Sequence, residues 1–217
     1  MLGGGIPRGH AVTLLGSFGT GKTTVGLQFL WQGLREGDKG LYLSLEEDVD
    51  SLLDCAAGFG WDFRPAVKEK KVAILRLEPA DLKGTLTQLK SEIPKFINDF
   101  GARRVVLDSV SLLSMLFSEE SERRARLFSL AQQIKETGAT TLFTSEVKDE
   151  NSLASRDGIV EYLSDGVLSL QYREVDSKEI FLVIQVIKMR RMKHSRKIRP
   201  YRITDQGVEV LFDVDVV

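Results

Sequence analysis

The sequence predicts an α/β fold with a mainly parallel central sheet, helices flanking it and antiparallel strands at the C-terminal end. Two observations support this prediction. Short apolar runs alternate with segments of helical periodicity from residue 11 to residue 144, and strands that alternate with helices form parallel sheets. After residue 166 the apolar runs follow one another without a helix between them, which is typical of antiparallel strands. No low-complexity linker divides the chain, so we predict a single domain over residues 1–217.

The predicted elements follow from the spacing of the apolar residues. Five strands are expected first, over residues 11–15, 40–45, 72–75, 105–107 and 139–144. Helices are expected between them, over residues 23–35, 48–57, 81–99 and 119–136. Pro94 lies inside the third of these helices and is expected to bend it. The antiparallel strands are predicted over residues 167–170, 180–187 and 208–211.

The composition restricts the class of protein. Hydrophobic residues make up 42% of the chain and charged residues 28%, which is typical of globular proteins. No apolar run approaches the roughly 18 residues of a membrane span, and the N-terminal residues lack the pattern of a signal peptide. The single cysteine, Cys55, excludes an intrachain disulfide and fits a reducing compartment. We therefore expect a cytoplasmic protein.

A glycine-rich loop joins the first predicted strand to the first predicted helix. The run from Gly16 to Thr23 fits G-x-x-x-x-G-K-[ST], the phosphate-binding P-loop. Glycines let backbone N–H groups converge on phosphate oxygens, and the helix N-terminus adds a positive dipole. Lys22 is expected to reach the β- and γ-phosphates and the Thr23 hydroxyl to ligate Mg²⁺. The other nucleotide-binding residues predicted here are Ser17, Phe18, Gly19, Thr20, Gly21 and Thr24.

A second nucleotide motif is predicted where the fourth strand ends. The apolar run over residues 105–107 leads directly to Asp108, the pattern of a Walker B motif. Such a carboxylate emerges beside the P-loop and holds Mg²⁺ through water. Thr23 and Asp108 are therefore the predicted metal residues.

Two adjacent acids, Glu46 and Glu47, follow the second predicted strand. In α/β sheets of this kind ligands bind outside the carboxyl ends of the strands, where a carboxylate can deprotonate the water that attacks a γ-phosphate. The two acids are not ranked by the sequence. The alternative is a solvated acidic N-cap for the helix over residues 48–57.

A basic tract follows the long apolar strand near the C-terminus. Its members, with no acid between them, are Lys188, Arg190, Arg191, Lys193, Arg196, Lys197, Arg199 and Arg202. The functional interpretation is a cationic finger, Lys188 with Arg190, that reaches the γ-phosphate of a neighbouring subunit. The alternatives are a solvated charged hairpin and a nucleic-acid patch. Net charge is −1 and Tyr201 is the nearby aromatic residue, so a stacking surface for single strands is poorly supplied.

These motifs together resemble one family. The residues that carry the likeness are Gly3–Gly9, the P-loop, Glu46 with Glu47, Phe59–Trp61, Arg103–Val110, Gly138–Thr141, Val160–Gly166 and Ile203–Gly207. Over essentially its whole length the chain resembles the KaiC-type branch of the RecA-like ATPases. The paired glutamates, the Ser-Asp-Gly-Val turn and the Ile-Thr-Asp-x-Gly ending are together more specific than the P-loop.

The resemblance implies a RecA-like P-loop fold and a hexameric ring that binds ATP or ADP, with Mg²⁺, between subunits. It implies that Lys22, Thr23 and Thr24 hold phosphates and Mg²⁺, and that Glu46 and Glu47 are catalytic. It further implies that Lys188 and Arg190 reach across the interface, that His194 lies nearby, and that Thr204 and Asp205 help to hold the nucleotide. The chain departs from the family at Arg191-Met192, where a Gly-Thr or Gly-Ser pair is common.

We therefore expect a ring-forming ATPase that hydrolyses ATP slowly and switches an unidentified protein partner. One alternative is an ATP sensor or scaffold with little turnover. Another is a recombinase-related modulator that binds DNA, through the loops near residues 110–122 and 146–158 or through the basic tract. Acids offset the cations of both loops, which predicts weak DNA affinity there.

Overall fold

The computed structural model describes residues 1–77, 91–147, 154–155, 160–175 and 179–214. The strands are β1 (Ala11–Gly16), β2 (Gly40–Ser44), β3 (Val72–Arg76), β4 (Arg104–Asp108), β5 (Thr140–Ser145), β6 (Gly166–Val175), β7 (Glu179–Met189), β8 (Arg199–Thr204) and β9 (Gly207–Val210). The helices are α1 (Lys22–Arg35), α2 (Val49–Gly58), α3 (Arg64–Lys68), α4 (residues 91–100), α5 (Val110–Ser114), α6 (Glu120–Glu136) and α7 (Val160–Leu163).

Nine strands within these residues form one sheet, in the order β3-β2-β4-β5-β1-β6-β7-β8-β9. Strands β3 to β6 in that order pair in parallel, and β6, β7, β8 and β9 pair antiparallel. The predicted fold class is therefore confirmed. We call the edge at which β1, β2, β4 and β5 end the carboxyl edge, and the opposite edge the amino edge.

Apolar packing on both faces explains why the parallel strands are continuous hydrophobic runs. On β4, Val105 and Leu107 enter the cluster that α4, α5 and α6 cover, whereas Val106 enters the cluster beneath α1 and α2. All six residues of β1 are buried for the same reason. Strand β1, which is buried along its whole length, therefore ends at the carboxyl edge with Gly16.

None of the described helices has the length and apolar character that crossing a membrane requires.

The structure differs from the predicted elements in the tail. The basic tract contains a strand, β8, which the sequence did not predict because arginines flank its two buried residues, Pro200 and Tyr201. Arg202 forms an ion pair with Glu209 of β9 at 2.8 Å, so part of the tract's charge is paired across this hairpin. Helices α3, α5 and α7 were also not predicted. Of the helix predicted over residues 81–99, the first ten residues lie outside the described residues.

Candidate functional site

The glycine-rich loop leaves β1 at Gly16 and enters α1 at Lys22. Gly19 and Gly21 have φ of 72° and 82°, a left-handed conformation that glycine adopts without strain. A Cβ on Gly19 would lie 2.6 Å from Tyr172 Oη, and one on Gly21 would lie 2.8 Å from Ile203 Cδ1. The backbone therefore turns here in a space that excludes side chains, as a loop that approaches phosphate requires.

Lys22 folds back over this loop. Its Nζ donates hydrogen bonds to the carbonyl oxygens of Gly16, at 3.0 Å, and Ser17, at 2.9 Å. Burial lowers the pKa of the Lys22 ammonium, and nearby carboxylates, that of Asp108 first, oppose this shift. The loop thus holds a cation at the carboxyl edge, surrounded by its own carbonyl groups. Thr24, two residues after Lys22 on α1, is buried.

Asp108 is buried, with 5% of its surface exposed. Its carboxylate accepts hydrogen bonds from Thr23 Oγ1 at 2.9 Å, from Tyr42 Oη at 2.6 Å and from Thr144 Oγ1. Burial, and secondly Asp108, raise the pKa of Tyr42, so its hydroxyl stays a donor. Elements α1, β2 and β5 thereby fix one carboxylate beside the P-loop. Tyr42 and Thr144 were not predicted, because within buried strands they have the periodicity of core residues.

Glu46 and Glu47 follow the end of β2, separated from Ser44 by Leu45, and are exposed. Glu46 Oε1 accepts a hydrogen bond from Ser109 Oγ at 2.7 Å, which ties it to the residue after Asp108. Glu46 is also one of the carboxylates that oppose the lowering of the Lys22 pKa. The hydrogen bond to Ser109 therefore keeps Glu46 next to the carboxyl end of β4.

Glu47 has different surroundings. Partial burial raises its pKa, and the carboxylates of Asp108, Glu46 and Asp48 raise it further. The N-cap of α2 is Asp48, whose carboxylate accepts a hydrogen bond from the Ser51 N–H at 2.9 Å. The alternative interpretation of Glu46 and Glu47 was an acidic N-cap for this helix. Because Asp48 is the N-cap, neither glutamate has that role.

The turn between β8 and β9 flanks the P-loop. Tyr201 Oη donates to the carbonyl oxygen of Thr20 at 2.6 Å. Three residues further on, the turn contains Thr204, whose hydroxyl donates to the Gly207 carbonyl at 3.1 Å, and the exposed Asp205. The contacts with the P-loop come from Tyr201 and Ile203 of β8, and the nucleotide-binding role of Thr204 and Asp205 stays a prediction.

The first cations of the basic tract, those at the end of β7, lie elsewhere. Met189 pairs with Gly166, and Gly166 pairs with Val12, at the start of β1. The P-loop begins after Gly16, four residues or about 13 Å along the strand. Lys188 and Arg190 therefore lie at the amino edge, and the structure does not bring them to the P-loop of their own chain.

The loop that follows Arg190 packs on the start of the chain. His194 Nδ1 lies 3.1 Å from the Ser195 carbonyl oxygen, and the Ser195 N–H donates to the Met1 carbonyl at 2.9 Å. Arg190 is itself held by Asp165, whose carbonyl oxygen accepts its N–H at 2.7 Å. His194 thus belongs to the same amino-edge segment as the predicted finger.

Arg191 has a φ of 63°, in the left-handed region that favours glycine. Replacing it by glycine is expected to raise the free energy of unfolding by about 0.5–1 kcal/mol, since relief of about 1–2 kcal/mol exceeds the extra chain entropy of glycine. Denaturant unfolding measures this, with Lys193→Gly as the control, which is expected to destabilise. A variant Arg191→Gly no more stable than the original chain would contradict the strain.

Comparisons with known proteins agree with this geometry. A family model described as "ATPase: KaiC" matches residues 1–215. The circadian clock oscillator protein KaiC of Synechococcus elongatus is 33% identical over 215 residues, which are 95% of this chain and 41% of that protein. The UPF0273 protein PAE3143 of Pyrobaculum aerophilum is 35% identical over 227 residues, 98% of this chain and 79% of that protein.

A solved structure is similar throughout. The KaiC-like protein PH0186 from Pyrococcus horikoshii OT3 has a TM-score of 0.86 and 34% identity, covering 97% of this chain and 93% of that one. The chain spans less than half the length of the clock protein, but nearly the whole of this solved chain. The predicted resemblance is thereby confirmed, and the chain belongs to the KaiC family of P-loop ATPases.

Proposed function

We propose that this protein forms a ring and hydrolyses ATP slowly at the interfaces between its subunits. The ring has six subunits, as the resemblance to the KaiC-type ATPases implies, and the ATPase cycle switches a protein partner. The observation that supports the interface most directly is the separation of the two halves of the site. The P-loop lies at the carboxyl edge, and Lys188 and Arg190 lie at the amino edge of the same sheet. Among the described residues, the predicted finger of one copy therefore does not lie beside the phosphate loop of that copy.

The P-loop supports nucleotide binding through its backbone and Lys22. The Lys22 ammonium, which donates to two carbonyls of its own loop, would exchange them for phosphate oxygens, which are stronger acceptors because they are charged. Thr23 and Asp108 offer a hydroxyl and a carboxylate, the hard oxygen donors that suit Mg²⁺. These two residues would hold the ion, which when bound neutralises phosphate charge.

Glu46 is the better-placed base. It is hydrogen-bonded to Ser109, and it is one of the carboxylates that oppose the lowering of the Lys22 pKa, so we expect it to lie near the terminal phosphate. A carboxylate there can take the proton of an attacking water. Glu47, one residue further from β2, adds a second exposed carboxylate at the same edge.

Charge complementarity supports contact between copies. At the carboxyl edge stand Glu46, Glu47, Asp48, Asp108 and Glu146. The exposed cations at and after the end of β7 are Arg190, Arg191, Lys193, Arg196 and Lys197. When the amino-edge cations of one copy face the carboxyl edge of the next, the contact is head-to-tail, and head-to-tail contacts form a ring where the rotation between neighbours closes. Arg190 then stabilises charge on the neighbour's γ-phosphate, as arginine fingers do.

Mixing two inactive variants tests the shared site. Lys22→Ala retains the finger and loses the phosphate loop, whereas Arg190→Ala retains the loop and loses the finger. Each alone is expected to lose at least about 100-fold in turnover, and co-assembled mixtures are expected to regain turnover, measured as phosphate release with light scattering alongside. The control mixture pairs Arg190→Ala with the double variant Lys22→Ala/Arg190→Ala, so that its rings contain intact phosphate loops and no finger, and it is expected to stay inactive. Co-assembled rings that stay inactive would contradict the shared site.

The exposed cations of the amino edge favour a second candidate, binding of nucleic acid by this same edge. Of the loops considered for that role, the one near residues 146–158 lies largely outside the described residues. A binding constant for DNA that falls steeply with salt would support this function, and the absence of binding at low salt would end it. Activity restored by mixing would favour the finger.

A further inference from the structure

Two tyrosines reach the P-loop from two different strands. Tyr172, on β6, donates from its hydroxyl to the carbonyl oxygen of Phe18 at 3.3 Å. Tyr201, on β8, donates to the carbonyl oxygen of Thr20 at 2.6 Å. Neither residue belongs to the P-loop motif, and the 28 residues between them include a complete strand. The loop is therefore held from outside, at alternate peptide groups.

The geometry of the peptide bond gives these contacts a consequence. In a planar trans peptide the C=O of one residue and the N–H of the next point in opposite directions. A donor that fixes the Phe18 carbonyl therefore fixes the direction of the Gly19 N–H, and one that fixes the Thr20 carbonyl fixes that of the Gly21 N–H. These two glycines are motif positions whose N–H groups a phosphate would use.

The packing around the two hydroxyls is tight. Tyr201 is 3% exposed and Thr20 is fully buried, and the Thr20 hydroxyl is itself turned onto the Ser17 carbonyl at 2.8 Å. Tyr172 is 41% exposed, but its Oη would lie only 2.6 Å from a Cβ placed on Gly19. Burial, and secondly Tyr172, raise the pKa of Tyr201 well above its ordinary value, so its hydroxyl remains a donor at neutral pH.

We propose that Tyr172 and Tyr201 are positioning residues that aim the Gly19 and Gly21 N–H groups at the phosphates before the nucleotide arrives. A loop already held in its binding conformation loses less entropy when the ligand binds. Tyr201 has the larger effect, because its hydrogen bond is shorter and buried. The inference rests on the proposed nucleotide site and adds to it two residues outside the motif.

The test replaces each tyrosine by phenylalanine, which keeps the ring and removes the hydroxyl. The dissociation constant for a fluorescent ADP analogue with Mg²⁺ is measured well below the melting temperature. Tyr201→Phe is expected to raise it about fivefold, as loss of one neutral hydrogen bond predicts, and Tyr172→Phe about twofold. The control is Tyr162→Phe on α7, a residue whose ring lies near Arg124, which is expected to bind as the original chain does.

A separate measurement of thermal unfolding without nucleotide distinguishes positioning from stability. Tyr201→Phe that melts lower and binds the analogue as tightly as the original chain would show a purely structural role and overturn the proposal. A Tyr201→Phe variant that binds the analogue as tightly as the original chain and melts at the same temperature would also overturn the proposal. The Lys22→Ala variant separates this failure from failure of the proposed function: if Lys22→Ala loses binding and Tyr201→Phe does not, only the positioning role is wrong.

Discussion

Replacing Lys22 by alanine is expected to abolish ATP binding. The lysine ammonium is the cation of the P-loop, and it sits partly buried over the loop's own carbonyl groups. A charged hydrogen bond of this kind contributes about 3 kcal/mol, and its loss weakens binding at least about 100-fold. The dissociation constant of a fluorescent ATP analogue measures this directly, with circular dichroism to establish that the variant is folded.

A matched control is available on α3, where Lys68 is exposed. Lys68→Ala removes the same charge from the molecule at a distance from the P-loop and is expected to bind the analogue normally. Normal affinity in Lys22→Ala would refute the phosphate-binding role of the loop. Equal losses in the two variants would instead attribute the effect to net charge.

The second large effect is expected from the paired glutamates. Glu46→Gln, with Glu47→Gln or alone, is expected to retain ATP binding and to lose turnover by about 10²–10⁴-fold, the contribution of a general base. Glutamine has the size of glutamate and can accept the Ser109 hydrogen bond, so the site's geometry is preserved. The decisive measurement is phosphate release under saturating ATP beside the dissociation constant of the nucleotide.

The single variants rank the two acids. Because Glu46 is bonded to Ser109 and lies in the field of Lys22, Glu47→Gln alone is expected to cost about tenfold or less. A larger loss in Glu47→Gln than in Glu46→Gln would assign the base to Glu47, whose raised pKa also suits that role. Unchanged turnover in the double variant would place the base elsewhere, and tight binding with negligible turnover in the original chain would favour a sensor.

The parallel part of the fold could be predicted because its strands are buried on both faces. A short continuous apolar run between two turns, such as Val105–Leu107, is compatible with few structures other than a buried strand. Strand β8 could not be predicted by the same signal, because a strand near the sheet's margin buries only one or two side chains. Its arginines face water and neighbouring strands, and in sequence they look like a charged loop.

The site was predictable where a motif fixes both residue type and spacing, as in the P-loop. Tyr42 and Thr144 were missed because periodicity indicates that a side chain is buried, and not which polar atom its hydroxyl meets. Tyr172 and Tyr201 were missed for another reason. Their contacts with the loop depend on strand order, which joins residues about 150 to 180 positions apart and leaves no local pattern.

The two halves of the proposed site lie at opposite edges of one sheet. Variant subunits are therefore expected to affect the sites of their neighbours when they are expressed together with the original chain. A subunit that lacks only Lys22 disables its own site, and one that lacks only Arg190 disables its neighbour's, whereas the double variant disables two sites in every ring that it enters. Expressed at a low dose beside the original chain, the double variant is therefore expected to behave as a dominant inhibitor. Its initial loss of activity per incorporated subunit should be twice that of either single variant.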